Sequence, residues 1–464
     1  MSASSKTTAS SRELWSLLGG EPTLLDSLAI EGPANVLPSV FDVTGFAASA
    51  IGVATLAAAE LLRARTSGRL RRARVGTVEA AAAFRAEALF APDGWTLPPV
   101  WDPIAGDYRA ADRWIRLHTN YTSHREAALA VLGTPADRTA IASAVARWDA
   151  AKLETAIVDA GGCAAAMYSR SEWVEHPHGA ATLDVRPIVL TDDGPARDGA
   201  RASVPALTEG ARPLEGLRVL DLTRVIAGPV CTQFLAAHGA DVLRIDPPGF
   251  EEVSALLPVT TAGKRCAALS LSTPDGAAVF AELLASSDVV VHALRPEALA
   301  RLGFDHARLR AENPSLVIAT LNAYGWTGPW RGRRGFDSLV QMSSGIAAAP
   351  SGAERPSPLP AQALDHGVGY LLAAGVCRAL TRLASDGRTS TVRGALLGAA
   401  NHLFALSRAE PSEKAPSWPD HLYETTQTHW GPARRVRCPG EIDGLPRPSC
   451  VRAAGPLGTS EAAF

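Results

Sequence analysis

Short apolar runs alternate with helical patterns along the second half of the chain. The runs LRVLDL (217–222), DVLRI (241–245), DVVVH (288–292) and LVIATL (316–321) have the length and composition of buried strands. Helical segments lie between them, the first of which has a proline near its first turn. Strands that alternate with helices predict a doubly wound parallel α/β sheet of the Rossmann-like kind over residues 214–410.

Composition divides the rest of the chain into five further segments. Residues 1–30 are polar and predict a mobile tail, and residues 31–95 predict a helical segment. Residues 96–185 carry tryptophans and predict a smaller α+β domain. The Gly- and Pro-rich residues 186–213 predict a linker, and residues 411–464 predict a Pro-rich C-terminal tail.

An internal repeat relates residues 37–84 to residues 359–404. Each copy has a Leu-Pro pair, an aspartate that opens a long apolar helix, a Gly-Arg turn, a basic strand and a second helix. The alternative is a chance match between two alanine-rich helices. The aspartates, Asp42 and Asp365, occupy equivalent positions in the two copies.

An aspartate at a helix start has two possible roles. It is a good N-cap, because its carboxylate accepts a hydrogen bond from the first turn. A carboxylate there can also attack an activated acyl group, with nearby amides receiving the oxyanion. Position does not decide between the roles for Asp365. Only Asp365 follows a complete strand–helix unit, so we expect Asp42 to be a structural cap whose helix packs on the Asp365 helix across an alanine-lined face.

Composition and charge exclude several classes of function. The 45 basic and 47 acidic residues nearly balance, which argues against a nucleic-acid binder. The six cysteines form no C-x-x-C pair, and the His176-Pro-His178 pair has no cysteine cluster nearby, so we expect no metal. The N-terminus lacks the apolar core of a signal peptide, and the apolar stretch 45–62 contains Ser49 and Glu60. We therefore expect a cytoplasmic protein without a membrane span.

Five motifs in the second half resemble one known family. The motifs are LEGLRVLDLTRVIAGPVCTQFLAAHGADVLRIDPPG (214–249), GKRCAALSLSTPDG (263–276), LRPEALARLGFDHARLRAENPSLVIATLNAYGWTGPW (294–330), GFDSLVQMSSG (335–345) and ALDHGVG (363–369). In order and spacing they resemble the N-terminal half of the family III CoA-transferases of the CaiB/BaiF type, the group of formyl-CoA transferase, carnitine CoA-transferase and 2-methylacyl-CoA racemase.

The block 96–185 resembles the small domain of that family. In the family this domain follows the nucleotide-fold half, whereas here it precedes it. The resemblance therefore implies a permuted order, or a truncated first copy fused to a second one. It also implies an interlocked homodimer.

The resemblance implies a site and a reaction. Asp365 falls on the catalytic aspartate, which attacks an acyl-CoA thioester and then carries coenzyme A as an aspartyl thioester before an acceptor carboxylic acid takes it. Coenzyme A and acyl-CoA are then substrates, and no permanently bound cofactor is implied. The positions that fall on the CoA- or acyl-contacting residues of the family are Arg301, Leu302, Leu269, Ser272, Arg334, Ile226 and Phe336.

Two alternatives to CoA transfer remain open. A 2-methylacyl-CoA racemase or isomerase needs a proton carrier in the segment Gly335-Phe336-Asp337, and phenylalanine cannot transfer a proton. A catalytically degenerate partner or scaffold subunit would agree with the unusual domain order and the Pro-rich tail. Ile226 replaces the polar residue of formyl-CoA transferase, which argues against formyl or oxalyl specificity.

Overall fold

The computed structural model describes residues 3–196, 204–295, 297–409 and 417–464. The strands in chain order are β1 (Leu28–Glu31), β2 (Ala73–Gly76), β3 (Ala91–Pro92), β4 (Gly106–Arg109), β5 (Trp114–Leu117), β6 (Ala164–Ala166), β7 (Ile188–Pro195), β8 (Arg218–Leu222), β9 (Asp241–Asp246), β10 (Lys264–Ala268), β11 (Val289–His292), β12 (Val317–Asn322), β13 (Arg388–Ala395), β14 (Tyr423–Thr428), β15 (Gly431–Val436) and β16 (Glu441–Ile442).

Helices lie between these strands for most of the chain. The α-helices are α1 (Ala3–Leu17), α2 (Val43–Thr66), α3 (Thr77–Ala83), α4 (Thr122–Leu132), α5 (Arg138–Val145), α6 (Ala150–Asp159), α7 (Arg170–Glu175), α8 (Pro177–Ala180), α9 (Ala227–Ala237), α10 (Leu257–Thr260), α11 (Pro274–Ser286), α12 (Ala298–Arg301), α13 (His306–Glu312), α14 (Asp337–Ser344), α15 (Ala363–Asp386) and α16 (Leu396–Ala405). Short 3-10 turns lie at Pro22–Ser27, Ser254–Leu256 and Asp420–Leu422.

A seven-stranded sheet forms the centre of the molecule. Its order is β10-β9-β8-β11-β12-β13-β7, with every pairing parallel except that of β7 with β13. Counted along the chain from β8, the six parallel strands run 3-2-1-4-5-6, which is the order of a doubly wound nucleotide-binding sheet. The predicted α/β fold class is confirmed.

The strand order reverses between β8 and β11. These two strands are neighbours in the sheet although β9 and β10 lie between them in the sequence. Their side chains are almost all buried, because helices cover both faces of the sheet. Loops that leave the carboxyl ends of β8 and β11 diverge to opposite faces and leave a crevice where ligands of such folds bind.

The mobile tail predicted for residues 1–30 is wrong for the described residues. Leu14 and Trp15 of helix α1, and Leu18 just after it, lie in the main core, where each is 1% exposed or less. The Trp15 ring also lies against the Arg378 guanidinium of α15, at 5.2 Å. The polar composition of this segment does not exclude packing, because Ser10 and Ser11 are buried as well. Residues 1 and 2 lie outside the described residues.

The predicted linker and C-terminal tail are also largely folded. Within 186–213, strand β7 pairs with β13 as an edge of the central sheet, while residues 197–203 lie outside the described residues. Within 411–464, strands β14 and β15 form a hairpin that pairs with β3, and β16 pairs with β2. Residues 411–416 lie outside the described residues. Glycine and proline mark turns between short strands here, not unstructured chain.

Helices α2 and α15 pack against each other along their length. Both have 24 residues, as the internal repeat predicts. Gly367 is needed at their contact, because a Cβ there would lie 2.2 Å from the Phe46 ring. In the part of the chain that the structure describes, α2 alone is long and apolar enough to cross a membrane, and its apolar stretch is entirely buried inside the protein.

The small domain rests directly on the central sheet domain. Its antiparallel sheet has the order β4-β5-β6, and α4, α5 and α6 pack around it. The backbone amide of Thr122 donates to Glu251 Oε2 (3.1 Å), and the Tyr121 hydroxyl donates to Glu252 Oε1 (3.0 Å). These contacts bring the first turn of α4 to the mouth of the crevice.

Candidate active site

A cleft of about 450 Å³ opens at the carboxyl ends of β8, β11 and β12. The segments that follow these strands line it, together with residues 333–336, the α15 residue Asp365 and the first turn of α4. The cleft therefore lies at the point where the strand order reverses, where a doubly wound sheet binds its ligands. Four of the residues predicted from the sequence line it: Ile226, Arg334, Phe336 and Asp365.

Asp365 lies in the first turn of α15 but does not cap it. The N-cap position belongs to Gln362, and the capping carboxylate comes from Asp337 of α14. Asp337 Oδ2 accepts hydrogen bonds from the backbone amides of Leu364 (2.8 Å) and Asp365 (3.0 Å). Among the described residues the Asp365 carboxylate itself has no hydrogen-bond partner, so it remains available to a ligand in the cleft.

The surroundings of Asp365 favour its protonated form. Burial raises its pKa well above the usual range, and the charges of Asp337 and Glu87 raise it further. Burial also raises the pKa of Asp337 to about 6, although the hydrogen bonds that its carboxylate accepts lower this pKa. Glu87 bonds His366 Nε2 at 2.8 Å. Titratable groups perturbed in this way are typical of functional sites.

Asp42 has a different role at the start of α2. Its Oδ1 accepts a hydrogen bond from the backbone amide of Gly45 (2.8 Å), so its carboxylate caps its own helix. Asp42 thus has the structural role expected from the sequence.

The loop that joins β8 to α9 is strained where it enters the cleft. Val225 has a φ of 65°, a left-handed conformation that a β-branched residue rarely adopts. Its amide donates to Glu252 Oε2 (3.4 Å), which is also bonded by the buried Arg244 (2.8 Å). The loop places Ile226 at the start of α9, against the cleft. Strain of this kind persists where the surroundings enforce it, often at functional sites.

Aromatic rings from both domains form one wall of the cleft. The Phe336 ring stacks on His118 of the small domain, with 3.7 Å between ring centroids. His124 and Tyr121 lie beside the same ring. Burial lowers the pKa of His118 to about 3 and that of His124 to about 4, so both imidazoles are uncharged at neutral pH.

Three arginines form a basic cluster at the cleft. Arg295 and Arg334 line it, and the charges of Arg334 and the nearby Arg301 add to burial in lowering the pKa of Arg295. Within the described residues, none of the three forms an ion pair with a carboxylate. Mutually repelling arginines that lack acidic partners are suited to bind a polyanion such as a nucleotide phosphate group.

The other predicted contact residues lie outside the cleft lining. Leu302 is exposed just after α12, Leu269 is half-buried just after β10, and Ser272 is exposed in the following loop. The Ser272 hydroxyl lies 3.0 Å from that of Ser270. Leu269 and Ser272 thus follow a carboxyl strand end, and their role in binding a nucleotide remains a prediction.

Sequence reasoning missed several residues that line the cleft. Arg224, Arg295 and Asn322 lie at or just after the carboxyl ends of β8, β11 and β12, and that position alone could have identified them. Tyr121 and His124 come from the small domain, and no local pattern in the sequence places them near Asp365.

The His176 and His178 pair is structural. His178 Nδ1 accepts the Trp330 amide (3.1 Å), and Nε2 lies 2.9 Å from the Tyr324 carbonyl oxygen. Both ring nitrogens are therefore occupied in holding the loop that follows β12. No group of three His, Cys, Asp or Glu side chains in the described residues is arranged to hold a metal ion.

Comparisons with known proteins find similarity to one family of transferases. Residues 214–438 match the model of CoA-transferase family III. A probable fatty acyl-CoA transferase of Mycobacterium tuberculosis is 32% identical over 226 residues, which are 44% of this chain and 57% of that protein. A formyl-CoA:oxalate CoA-transferase of a Bradyrhizobium species is 34% identical over 197 residues, 39% of this chain and 46% of that protein.

The chain spans about half the length of these curated relatives. A crystal structure of a hypothetical protein of Mycobacterium tuberculosis is 33% identical, with a TM-score of 0.40, and covers 43% of this chain and 57% of that one. The matched segment includes the parallel strands β8–β13, the strained loop, Asp337 and Asp365. Residues 214–438, just under half of this chain, match the model of CoA-transferase family III.

Proposed function

We propose that the protein transfers coenzyme A from an acyl-CoA to a carboxylic acid through a covalent intermediate on Asp365. The observation that carries the proposal is the Asp365 carboxylate, which has no hydrogen-bond partner among the described residues and lies in the cleft of a family III domain. The relatives matched by this segment are named as transferases of acyl-CoA or formyl-CoA.

The reaction consists of paired acyl exchanges at one carboxylate. Ionised Asp365 attacks the thioester carbonyl, the C–S bond breaks, and a mixed anhydride and a CoA thiolate result. The thiolate then attacks the aspartyl carbonyl, which releases the first carboxylic acid as its carboxylate and leaves an aspartyl-CoA thioester. The acceptor carboxylate attacks this thioester, and the returning thiolate takes the new acyl group and frees Asp365. No net proton is needed.

The surrounding residues position coenzyme A for these steps. Arg295, Arg301 and Arg334 bind its phosphates through charge-assisted hydrogen bonds. Leu269, Ser272 and Leu302 contact the nucleotide portion along the carboxyl edge of the sheet. The side chains of Ile226 and Phe336 then border the space that the acyl group occupies next to Asp365.

Trapping the intermediate tests the proposal. Wild-type protein incubated with an acyl-CoA and hydroxylamine should form a hydroxamate at Asp365, located by peptide mapping. The variant Asp365→Asn should form none and lose CoA transfer, while circular dichroism shows an intact fold. Near-normal turnover by this variant, or a hydroxamate on another residue, would contradict the assignment.

We further propose an interlocked homodimer of a cytoplasmic enzyme. Its domain order would be permuted, or would result from a truncated first copy fused to a second copy, because the small domain precedes the segment that matches the family. The six cysteines form no disulfide, which suits a reducing compartment. Light scattering at micromolar concentration should give twice the mass of the chain, and a monodisperse monomer would contradict the dimer.

A further inference from the structure

Two of the four arginines that line the cleft, Arg224 and Arg333, are paired with carboxylates of the protein. We infer that the acyl subsite accepts apolar monocarboxylic acyl groups, aliphatic or aromatic, and rejects acyl groups that carry a second carboxylate. This inference rests on the proposed CoA transfer and adds the chemical class of its substrates.

Two of the four arginines in the cleft lining are already neutralised. Arg224 pairs with Asp246 (3.3 Å), and its guanidinium lies 3.8 Å from the centroid of the Phe250 ring. Arg333 pairs with the buried Glu154 (2.8 Å), and the same nitrogen donates to the Ala164 carbonyl (2.7 Å). Neither guanidinium is a free counter-charge for a substrate carboxylate.

The neutral polar groups of the lining are mostly occupied as well. The Tyr121 hydroxyl donates to Glu252 Oε1 (3.0 Å). The Asn322 amide donates to the Gly325 carbonyl (2.8 Å) and accepts from the Gly325 amide (2.7 Å). His124 is uncharged at neutral pH, and its Nε2 lies 3.8 Å from Cys163 Sγ, while its buried Nδ1 has no hydrogen-bond partner among the described residues. Ser123 is exposed at the rim.

The remaining positive charges match coenzyme A itself. Arg295 and Arg334 line the cleft without an acidic partner among the described residues, and Arg301 is close enough to affect the pKa of Arg295. Coenzyme A carries several phosphate charges, which this cluster would neutralise. Once it is bound, no described side chain of the cleft offers a cation to a second carboxylate.

The rest of the lining is apolar. Its larger apolar side chains are those of Val225, Ile226, Phe250, Leu321, Phe336 and Leu396. A carboxylate brought among them would lose its hydration without a compensating partner, which strongly disfavours its binding. An alkyl or phenyl group would instead gain from the removal of its own surface from water.

Two thioesters of equal chain length test the inference. Butyryl-CoA and succinyl-CoA share a four-carbon backbone and differ by a terminal methyl or carboxylate. We expect kcat/KM for CoA transfer to isobutyrate to be about 100-fold higher with butyryl-CoA, since an unpaired buried charge is strongly rejected. A succinyl-CoA value within threefold of the butyryl-CoA value, or above it, would overturn the inference.

A positively charged side chain introduced into the cleft should reduce the preference for butyryl-CoA over succinyl-CoA. Ile226→Arg, or Phe336→Arg if the first variant does not fold, should reduce the ratio of kcat/KM values at least tenfold. The control Leu183→Arg changes an exposed leucine outside the cleft and should leave the ratio unchanged. If both cleft variants fold and the ratio of kcat/KM values for butyryl-CoA and succinyl-CoA is unchanged, the lack of a cation in the cleft does not explain the preference.

Binding separates this inference from the proposed transfer activity. If neither thioester supports transfer, the proposed function fails, and calorimetric dissociation constants for the two thioesters still decide the inference. Butyryl-CoA should bind the Asp365→Asn variant at least tenfold more tightly than succinyl-CoA does. Equal dissociation constants, or tighter binding of succinyl-CoA, would overturn the inference that the subsite prefers apolar acyl groups.

Discussion

Helices α2 and α15 are two copies of one pattern whose aspartates have different roles. Both helices have 24 residues and an aspartate at or near the start. Asp42 caps its own helix through the Gly45 amide, whereas the start of α15 is capped from outside by Asp337. The capping requirement of α15 is thereby met, and the Asp365 carboxylate is left for chemistry.

The largest contrast between the two helices should be in activity. Asp365→Asn removes the proposed nucleophile and should lower kcat at least ~10³-fold, whereas Asp42→Asn retains a capping oxygen and should leave kcat within twofold. Both variants belong in one CoA-transfer assay with the same donor and acceptor. Equal losses in the two variants would mean that both repeats contribute to one site.

The Asp337 carboxylate should control the pH dependence of Asp365. Its negative charge raises the pKa of Asp365, so Asp365 ionises, and activity rises, only at higher pH. In Asp337→Asn the pKa of Asp365 falls, and the acid limb of the kcat/KM profile should move to lower pH by about one unit. As a control, Asp42→Asn removes one negative charge at the start of α2 and should leave the acid limb of the kcat/KM profile unchanged. An unmoved limb in Asp337→Asn would show that the two carboxylates do not interact.

The free energy of unfolding should show a smaller difference in the opposite direction, with the greater loss at Asp42. Asp42→Ala removes a cap and should lower the free energy of unfolding by about 1 kcal/mol. Asp365→Ala removes no cap and relieves a buried carboxylate with a raised pKa, so stability at pH 7.5 should be unchanged or higher. Urea titrations of both variants measure this difference. A larger loss for Asp365→Ala than for Asp42→Ala would show that Asp365 supports the fold.

The sequence predicts the parts of this molecule that depend on local pattern. The parallel strands follow from short apolar runs, and the repeat locates both long helices. Residues 1–30 were misjudged because an amphipathic helix with a polar outer face resembles a tail when its packing partner is unknown. Trp15 meets Arg378 only through the folded chain, across the ends of α1 and α15.

The same limit applies to the site. Asp365, Ile226, Arg334 and Phe336 lie in motifs, and the cleft contains all four. The capping role of Asp337 depends on how α14 meets α15, and the sequence does not specify this contact between residues 28 positions apart. Tyr121 and His124 reach the cleft because Glu251 and Glu252 hold α4 on the sheet domain, a contact between distant segments.

The pairing of α2 with α15 has a consequence for synthesis of the protein. The buried ion pair between Glu60 and Arg378 joins residues 318 positions apart. At 5–20 residues per second, α2 leaves the ribosome roughly 15–60 s before the partner that covers its apolar surface. During that interval the most apolar helix of the chain has no α15 to pack against. Until residue 386 has been made, the face of α2 that α15 will cover is exposed, and exposed apolar surface of this kind favours aggregation of unfinished chains.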